Sequence, residues 1–126
     1  MSPVDQVVAL VNDARAHAAV PCGPVQLEPR LTAAAQAHSD DMAARNFFDH
    51  TNPDGVTFGQ RILATGYPQV AMAENIAKGQ RTASQVMRAW MESTMGHREN
   101  IENCAYNFVG IGLNRGAWTW TQDFAA

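Results

Sequence analysis

The chain has 126 residues, enough for one domain with its own core and too few for two, so residues 1–126 are predicted to form a single domain. The formal net charge is −3 and the basic residues are scattered, which argues against nucleic acid as a partner. No apolar run approaches the roughly 20 residues of a membrane-spanning helix, so no transmembrane segment is predicted. The start, Met1-Ser2-Pro3, lacks the basic and apolar regions of a signal peptide. The protein is therefore either cytosolic or a mature or excised domain.

Two helices are predicted in the first third of the chain. Apolar residues recur at helical spacing from about Pro3 to Ala18, with Arg15 beside that stripe. A second helix is predicted over residues 29–46, and its apolar face includes His38. We interpret His38 as a packed histidine with a backbone partner.

A loop rich in turn residues follows and carries His50. Phe47 and Phe48 are predicted to anchor this loop, with His50 leading outward from them. Thr57 and Gln60 then form a capping-box pattern, which predicts a short helix after the loop.

A short apolar run, Val70 to Ala77, contains one carboxylate, Glu74. As a strand, the run would send Met72, Glu74 and Ile76 to the same face. Glu74 therefore needs a partner, because a buried charge without one is costly.

The next helix is predicted to begin at the cap Thr82, with Gln85 three residues later as the second member of a capping box. Helical geometry places Ser93 beside the apolar stripe and Glu92 on the polar side. Gly96 is predicted to end this helix in the left-handed conformation. His97 would then lie at a chain reversal, where its ring can point into a cleft.

The last third is predicted to form a β-hairpin over residues 108–124, with a tight turn at Asn114-Arg115-Gly116. Trp118, Trp120 and Gln122 would share one face of its second strand. Since helices outnumber strands and the strands cluster late, we predict an α+β fold with a small antiparallel sheet between helical layers.

The two cysteines, Cys22 and Cys104, leave two interpretations open. They are either one long-range disulfide or two separate buried thiols. A disulfide closing a loop of this length would stabilise the fold by about 4.5 kcal/mol in the chain-entropy model.

Five motifs follow one another along the chain: His50, Ala73-Glu74-Asn75-Ile76-Ala77, Trp90-Met91 with Ser93, Gly96-His97-Arg98 with Asn100-Ile101, and Trp118 to Phe124. With these motifs the chain resembles the CAP superfamily, named for cysteine-rich secretory proteins, antigen 5 and pathogenesis-related 1, and especially its bacterial branch of SCP domains. The resemblance implies an α-β-α sandwich and an extracellular or cell-envelope location, and it favours the Cys22–Cys104 disulfide.

By the same resemblance, a central cleft carries two histidines and two acidic residues. His50 and His97 match the histidines, and Glu74 matches one acid. The second acid of eukaryotic relatives corresponds to Ser93, a departure from the pattern, and Glu92 lies one position aside on the polar face.

Two arrangements are predicted for this cleft, one with a bound metal ion and one without. His50 and His97, with Glu74 as third ligand or as an orienting partner, would bind Zn²⁺ or another divalent cation weakly. The alternative is a metal-free network of hydrogen bonds among the same three residues.

The resemblance also implies two kinds of function. The first is binding of a lipid, sterol or other small apolar ligand by a non-enzymatic module. The second is hydrolysis of a peptide or ester, with Ser93 as nucleophile, His97 or His50 as base and Glu74 as orienting group, or with a metal-activated water. Apolar residues predicted to line the pocket are Phe47, Phe48, Met72, Met91, Met95, Trp118 and Trp120.

Overall fold

A four-stranded sheet lies between two layers of helices in a computed structural model that describes residues 1–126. The strand order is β1-β3-β4-β2. The α+β prediction is thereby confirmed. In chain order the elements are α1 (Pro3–Ala16), β1 (Gln26–Leu27), α2 (Pro29–Ala44), α3 (Phe58–Ala64), β2 (Met72–Lys78), α4 (Ala83–Glu92), α5 (His97–Ile101), β3 (Phe108–Asn114) and β4 (Thr119–Ala125).

The sheet is mixed rather than wholly antiparallel. β4 pairs antiparallel with both β3 and β2, as predicted for the long strands. The two-residue strand β1 adds a parallel pairing with β3. Both residues of β1 are exposed, so this strand has no hydrophobic pattern that sequence could reveal.

Two hydrophobic clusters cover the two faces of the sheet. The larger joins α1 and α4 to the face that carries Trp120 and Phe124. The smaller places Leu31 of α2 and Ile62 of α3 against the other face. The cleft described below opens where these two layers meet the edge strand β2.

The helices begin where their caps predict and end slightly early. Thr57 and Gln60 form the complete capping box of α3. At α4 the box is half formed, because Thr82 accepts from the Gln85 N–H while the Gln85 side chain accepts from Arg81 instead. The predicted ends of α1 and α2 each lie two residues too far along the chain. For α2 the reason is Asn46, whose φ of 55° is left-handed.

The segment around Gly96 differs from the prediction. Helix α4 ends at Glu92, because Ser93 has extended backbone angles. Gly96 is indeed left-handed, with φ of 98°, but it precedes the short helix α5 instead of ending α4. His97 is therefore the first residue of a helix.

The β3–β4 turn is longer than predicted. It runs from Asn114 to Thr119, and the Asn114 side chain accepts from the backbone N–H groups of Gly116 and Ala117. Trp118 lies in the turn with a left-handed φ of 54°, so it does not share a strand face with Trp120.

Cys22 and Cys104 form a disulfide that joins the loops after α1 and α5 across 82 residues. Arg15, which sequence analysis placed beside the α1 stripe, is buried under the same loops. Its guanidinium donates to the carbonyl oxygens of Gly23, Ile101, Asn103 and Tyr106 at 2.9 to 3.0 Å. No helix is long and apolar enough to cross a membrane.

Candidate functional site

A cleft of about 490 Å³ opens along strand β2. One wall comes from α4 and the start of α5, and the other from the loop before α3. The lining residues are Phe48, Asp49, His50, Ile76, Ala77, Lys78, Gln80, Ala89, Trp90, Ser93 and His97. The fold thus brings His50 and His97, 47 positions apart in the sequence, to one cleft.

A buried carboxylate fixes His50 from behind. Glu74 lies on β2 with no solvent exposure of its side chain, and its Oε1 accepts from His50 Nδ1 at 2.9 Å. Because a carboxylate only accepts, Nδ1 carries the hydrogen, which leaves Nε2 as the acceptor of the neutral ring. Arg61 of α3 donates to Glu74 Oε2 at 2.6 Å and to the His50 carbonyl oxygen at 2.6 Å.

A second carboxyl group, Asp123 of β4, lies directly opposite Glu74 in the strand register. It is fully buried, and neither of its oxygens has a donor from any other group. Burial raises the pKa of Asp123 well above its usual range, and the charge of Glu74 raises it further. Both effects favour the protonated, neutral form of Asp123 beside the Glu74 carboxylate.

Glu74 stays ionised although it is buried, because of the groups that surround it. Burial alone would raise its pKa, but hydrogen bonds from His50 and Asp123 and the charge of Arg61 outweigh that effect. The pKa of Glu74 is held below its ordinary value, so Glu74 is a carboxylate at neutral pH.

On the opposite wall, Ser93 Oγ lies 2.6 Å from His97 Nδ1. Ser93 also accepts from the Met95 N–H at 3.0 Å. Burial lowers the pKa of His97, the nearby His50 lowers it further, and Glu99 partly opposes both. His97 is accordingly a neutral ring at pH 7.

The backbone of His97 is held by amide side chains. Asn75 of β2 donates to the His97 carbonyl oxygen at 3.1 Å and to Gln122 at 2.9 Å. Asn100 in turn donates to Asn75 at 2.9 Å. Since Asn75 and Gln122 are fully buried, this network fixes α5 on the sheet.

The two tautomers of His97 suit different chemistry. If Nδ1 donates to Ser93, then Nε2 has a free lone pair and can bind a metal ion. If Ser93 donates to Nδ1, the ring acts as a base toward the hydroxyl and Nε2 carries the hydrogen.

The structure places the predicted site residues as follows. His50, His97 and Ser93 line the cleft, whereas Glu74 lies behind His50 with both oxygens occupied. Glu92 is exposed on α4 and does not line the cleft.

Of the seven apolar residues predicted to line the pocket, only Phe48 does so. Met95 is exposed on the surface, and Trp118 lies in the hairpin turn. The others pack in or against the cores or on neighbouring side chains, because apolar residues on elements facing a sheet are more often core than pocket. These are Phe47, Met72, Met91 and Trp120.

Few side chains in the cleft could bind a metal ion. No group of three or more His, Cys, Asp or Glu side chains is arranged to hold a metal ion. Glu74 is occupied by Arg61 and His50, so it fits an orienting role better than that of a ligand. The remaining donors are the two Nε2 atoms of His50 and His97.

Three parts of the site were not predicted from the sequence: Arg61, Asp123 and the amide network of Asn75, Asn100 and Gln122. Arg61 has a sequence signal, since it lies on the core side of a short capped helix where a cation is unexpected. Asp123 has no such signal, since strand alternation groups it with the polar residues Thr119 and Thr121. Its position opposite Glu74 depends on strand register, and that of Arg61 on how α3 packs, neither of which the sequence reveals.

The arrangement of a four-stranded sheet between helical layers is shared with solved SCP-domain structures. A model of the CAP family, described as the cysteine-rich secretory protein family, matches residues 8–124. The chain belongs to this family.

Two Bacillus subtilis proteins are similar in sequence. The uncharacterized protein YkwD is 37% identical over 119 residues, which are 94% of this chain and 45% of YkwD. The uncharacterized membrane protein YlbC is 32% identical over 91 residues, covering 71% of this chain and 25% of YlbC. The chain thus spans less than half the length of these relatives.

Solved structures share the fold. An extracellular SCP-domain protein from Bacillus anthracis has a TM-score of 0.89 and 26% identity, covering 98% of this chain and 40% of that one. An outer surface protein from Borrelia burgdorferi has a TM-score of 0.83 and 18% identity, covering 99% of this chain and 95% of that one.

Proposed function

We propose that this domain binds a small, lipid-like ligand in the cleft along β2, outside the cell or in the cell envelope. The observation that carries the proposal is the composition of the cleft. Phe48, Ile76 and Trp90 offer an apolar surface, while His50 and His97 offer polar groups for the ligand's head. Unlike hydrolysis, ligand binding does not need an oxyanion hole or an activated nucleophile.

The location is supported by two observations. The Cys22–Cys104 disulfide is typical of oxidising compartments. The similar structures include an extracellular protein and an outer surface protein.

Filling the cleft tests the ligand proposal. Ala89 lies on α4 and lines the cleft, so Ala89→Trp should weaken binding of a fluorescent fatty acid or sterol by about tenfold or more, which corresponds to about 1.4 kcal/mol. Ala37→Trp is the matched control, because Ala37 is exposed on α2 and away from the cleft. Equal affinity of both variants, or no binding by the wild type, would refute the proposal.

A divalent cation is part of this proposal. His50 and His97 would bind it through their Nε2 atoms, with Glu74 and Ser93 holding the opposite ring nitrogens. Two protein ligands predict weak, exchangeable binding. Zinc titration followed by calorimetry should show one site that is lost in both His50→Ala and His97→Ala and retained in His17→Ala, a histidine far from the cleft.

Hydrolysis is the second candidate function, and the 2.6 Å contact between Ser93 Oγ and His97 Nδ1 favours it. In this mechanism the Ser93 proton moves to His97 Nδ1 as Oγ attacks the carbonyl carbon of an ester or peptide. The bond to the leaving alcohol or amine then breaks as His97 returns the proton to it, and water hydrolyses the acyl-serine with His97 as base. Glu74 orients His50, which is the alternative base.

Nitrophenyl esters and unfolded casein, each with and without EDTA, test hydrolysis. Turnover that is lost in Ser93→Ala and insensitive to EDTA assigns the serine reaction, and loss with EDTA assigns a metal-assisted one. Loss of turnover in His97→Ala with lipid binding intact would favour the enzyme over the binding module. Absence of turnover on all substrates counts against this candidate.

A further inference from the structure

Lys78 is the only cationic side chain, histidines aside, among the residues that line the cleft. It is the single lysine among nine lysine and arginine residues, and none of the arginines lines the cleft. The residue is exposed, and every ion pair of the structure joins other residues. Lys78 thus brings to the cleft a positive charge that is not paired with any carboxylate of the chain.

The acidic groups near the cleft are bound to other partners. Asp49 is the only acidic residue in the lining, and its Oδ1 accepts from the Thr51 N–H of the same loop at 3.1 Å. Glu74 is fully buried and already ion-paired. The walls of a cleft focus the field of a charge, so an unpaired ammonium there acts more strongly than one on an open surface. A negatively charged group on the ligand would complement Lys78.

Strand β2 orders the groups of the cleft along one of its faces. Glu74, Ile76 and Lys78 alternate along the strand and point to the same side, with about 6.6 Å between neighbours. Glu74 holds the His50 ring, Ile76 lines the cleft with an apolar side chain, and Lys78 is the last residue of the strand. The order along the strand is therefore imidazole, apolar surface and ammonium. This order suits a ligand that joins an acidic group to a hydrocarbon part.

The backbone at the end of β2 is held in place. Lys78 lies opposite Thr119 of β4, and the next residue, Gly79, donates its N–H to the Trp118 carbonyl oxygen at 2.9 Å. The Cα of Lys78 is fixed by this pairing, whereas its flexible four-carbon stem lets the ammonium adjust to a bound group.

We infer that the ligand of the cleft carries a carboxylate or phosphate group, which the Lys78 ammonium binds. The inference rests on the ligand binding proposed above and narrows its ligand to acidic amphiphiles. An ammonium has three donors and no acceptor, and the oxygens of a carboxylate or phosphate accept charge-assisted hydrogen bonds. A sterol offers a neutral hydroxyl and gains no such bond. Lys78 is thus the residue that selects the ligand by its charge.

Ligands of equal chain length test this inference by calorimetry at pH 7. Decanoate and decyl phosphate carry a negative charge, whereas decanol has the same chain and none. The wild type should bind each acidic ligand about tenfold or more tightly than decanol. Raising the salt to about 0.5 M should reduce this preference, because salt screens the charge of an exposed lysine.

Three variants assign the preference to one side chain. Lys78→Met keeps the apolar stem without the charge, so it should bind decanoate and decanol about equally while its affinity for decanol stays that of the wild type. Lys78→Arg keeps the charge and should retain most of the preference. Arg88→Met is the matched control, since Arg88 is exposed on α4 and lies outside the cleft lining. The same loss of charge there should leave the preference unchanged.

The inference is overturned if the wild type binds decanol as tightly as the acidic ligands, or if Lys78→Met keeps the preference. The lipid-like ligand proposed above is unaffected by either result. If none of these ligands binds, that proposal fails and this inference fails with it.

Inorganic phosphate at about 10 mM separates a lipid head group from a free anion. It should bind much more weakly than decyl phosphate, because it lacks the apolar chain. Phosphate binding that is equally tight and is lost in Lys78→Met would support recognition of the charge by Lys78 and refute the apolar ligand.

Discussion

Glu74 is the residue around which the charges of the site are balanced. Its side chain is fully buried, and it keeps its negative charge through the guanidinium of Arg61, the imidazole of His50 and the proton of Asp123. Each neighbour comes from a different element, α3, the loop before it and β4. The orientation of the His50 ring therefore depends on three separate parts of the fold.

Removing Arg61 should be costly. Arg61→Met leaves the Glu74 charge buried with one partner fewer, so we expect the free energy of unfolding to fall by about 3 kcal/mol or more in urea denaturation. Arg45→Met is the matched control, since Arg45 pairs with Asp41 and Asp54 at the surface and should lose much less. Equal losses in the two variants would show that Glu74 does not depend on Arg61.

Asp123 should make stability depend on pH. Its folded pKa lies above the unfolded value, so between the two the folded state holds one more proton, and stability falls as pH rises. In the wild type we expect the free energy of unfolding to fall by up to about 1.4 kcal/mol per pH unit. This decline should be absent in Asp123→Asn, because an asparagine side chain does not titrate. Urea denaturation between about pH 5 and pH 9 measures the slope. Asp40→Asn, at the surface, should keep the wild-type slope.

The residues that line the cleft could be predicted from the sequence, but the buried groups that hold them could not. His50, His97, Ser93 and Glu74 carry motif or periodicity signals, and the structure brings the first three to one cleft. The neighbouring positions of Glu74 and Asp123 depend on a pairing of strands whose residues are 49 positions apart. Such contacts follow from register, which no local pattern encodes.

At the scale of elements, α2 and β3 approach each other more closely than ordinary side chains permit. A Cβ atom at Gly110 would lie 2.1 Å from the backbone of Leu31, and one at Gly112 would lie 2.5 Å from that of Ala35. The two glycines alternate with Val109 and Ile111, which face the other layer. The α2 layer therefore packs backbone to backbone on this strand.

A methyl group added to β3 at Gly112 should strongly destabilise the fold. We expect Gly112→Ala to lower the free energy of unfolding by about 3 kcal/mol or more, because the clash is with backbone that cannot rotate away. Gly59→Ala, in α3, meets only the Thr57 hydroxyl at 4.0 Å and should be neutral or stabilising by up to about 1 kcal/mol. Thermal unfolding of both variants gives the comparison, and a mild Gly112→Ala would mean that α2 can shift.

Most elements were predictable and their junctions were not. Helix α4 has strong amphipathic periodicity and a clear cap, and its predicted start at Thr82 is confirmed. Its end was misplaced, because Ser93 adopts an extended backbone that its residue type does not demand. β1 was missed for the opposite reason, since two exposed residues form a strand only through their partner β3.

At the scale of the whole molecule, the loop after α1 and the loop after α5 are held together in two ways. The Cys22–Cys104 disulfide joins them covalently, and Arg15 binds carbonyl groups of both loops. In the chain-entropy model the disulfide contributes about 4.5 kcal/mol. In that model the disulfide stabilises the protein by restricting the unfolded chain, whereas the hydrogen bonds of Arg15 stabilise the folded state.

We expect the double variant Cys22→Ser and Cys104→Ser to fold while losing about 2 to 4.5 kcal/mol of stability, because Arg15 still holds the loops. Urea denaturation with and without reductant provides the measurement. The reduced wild type should match the double variant. A double variant that is unfolded would show that Arg15 cannot hold the loops unaided.

His50 and His97 belong to different layers of the sandwich, the first tied through Arg61 to α3 and the second beginning α5. A ligand that contacts both imidazole rings therefore links the two layers of the sandwich. An occupant of the cleft should consequently raise the melting temperature in proportion to the logarithm of its concentration once the cleft is saturated.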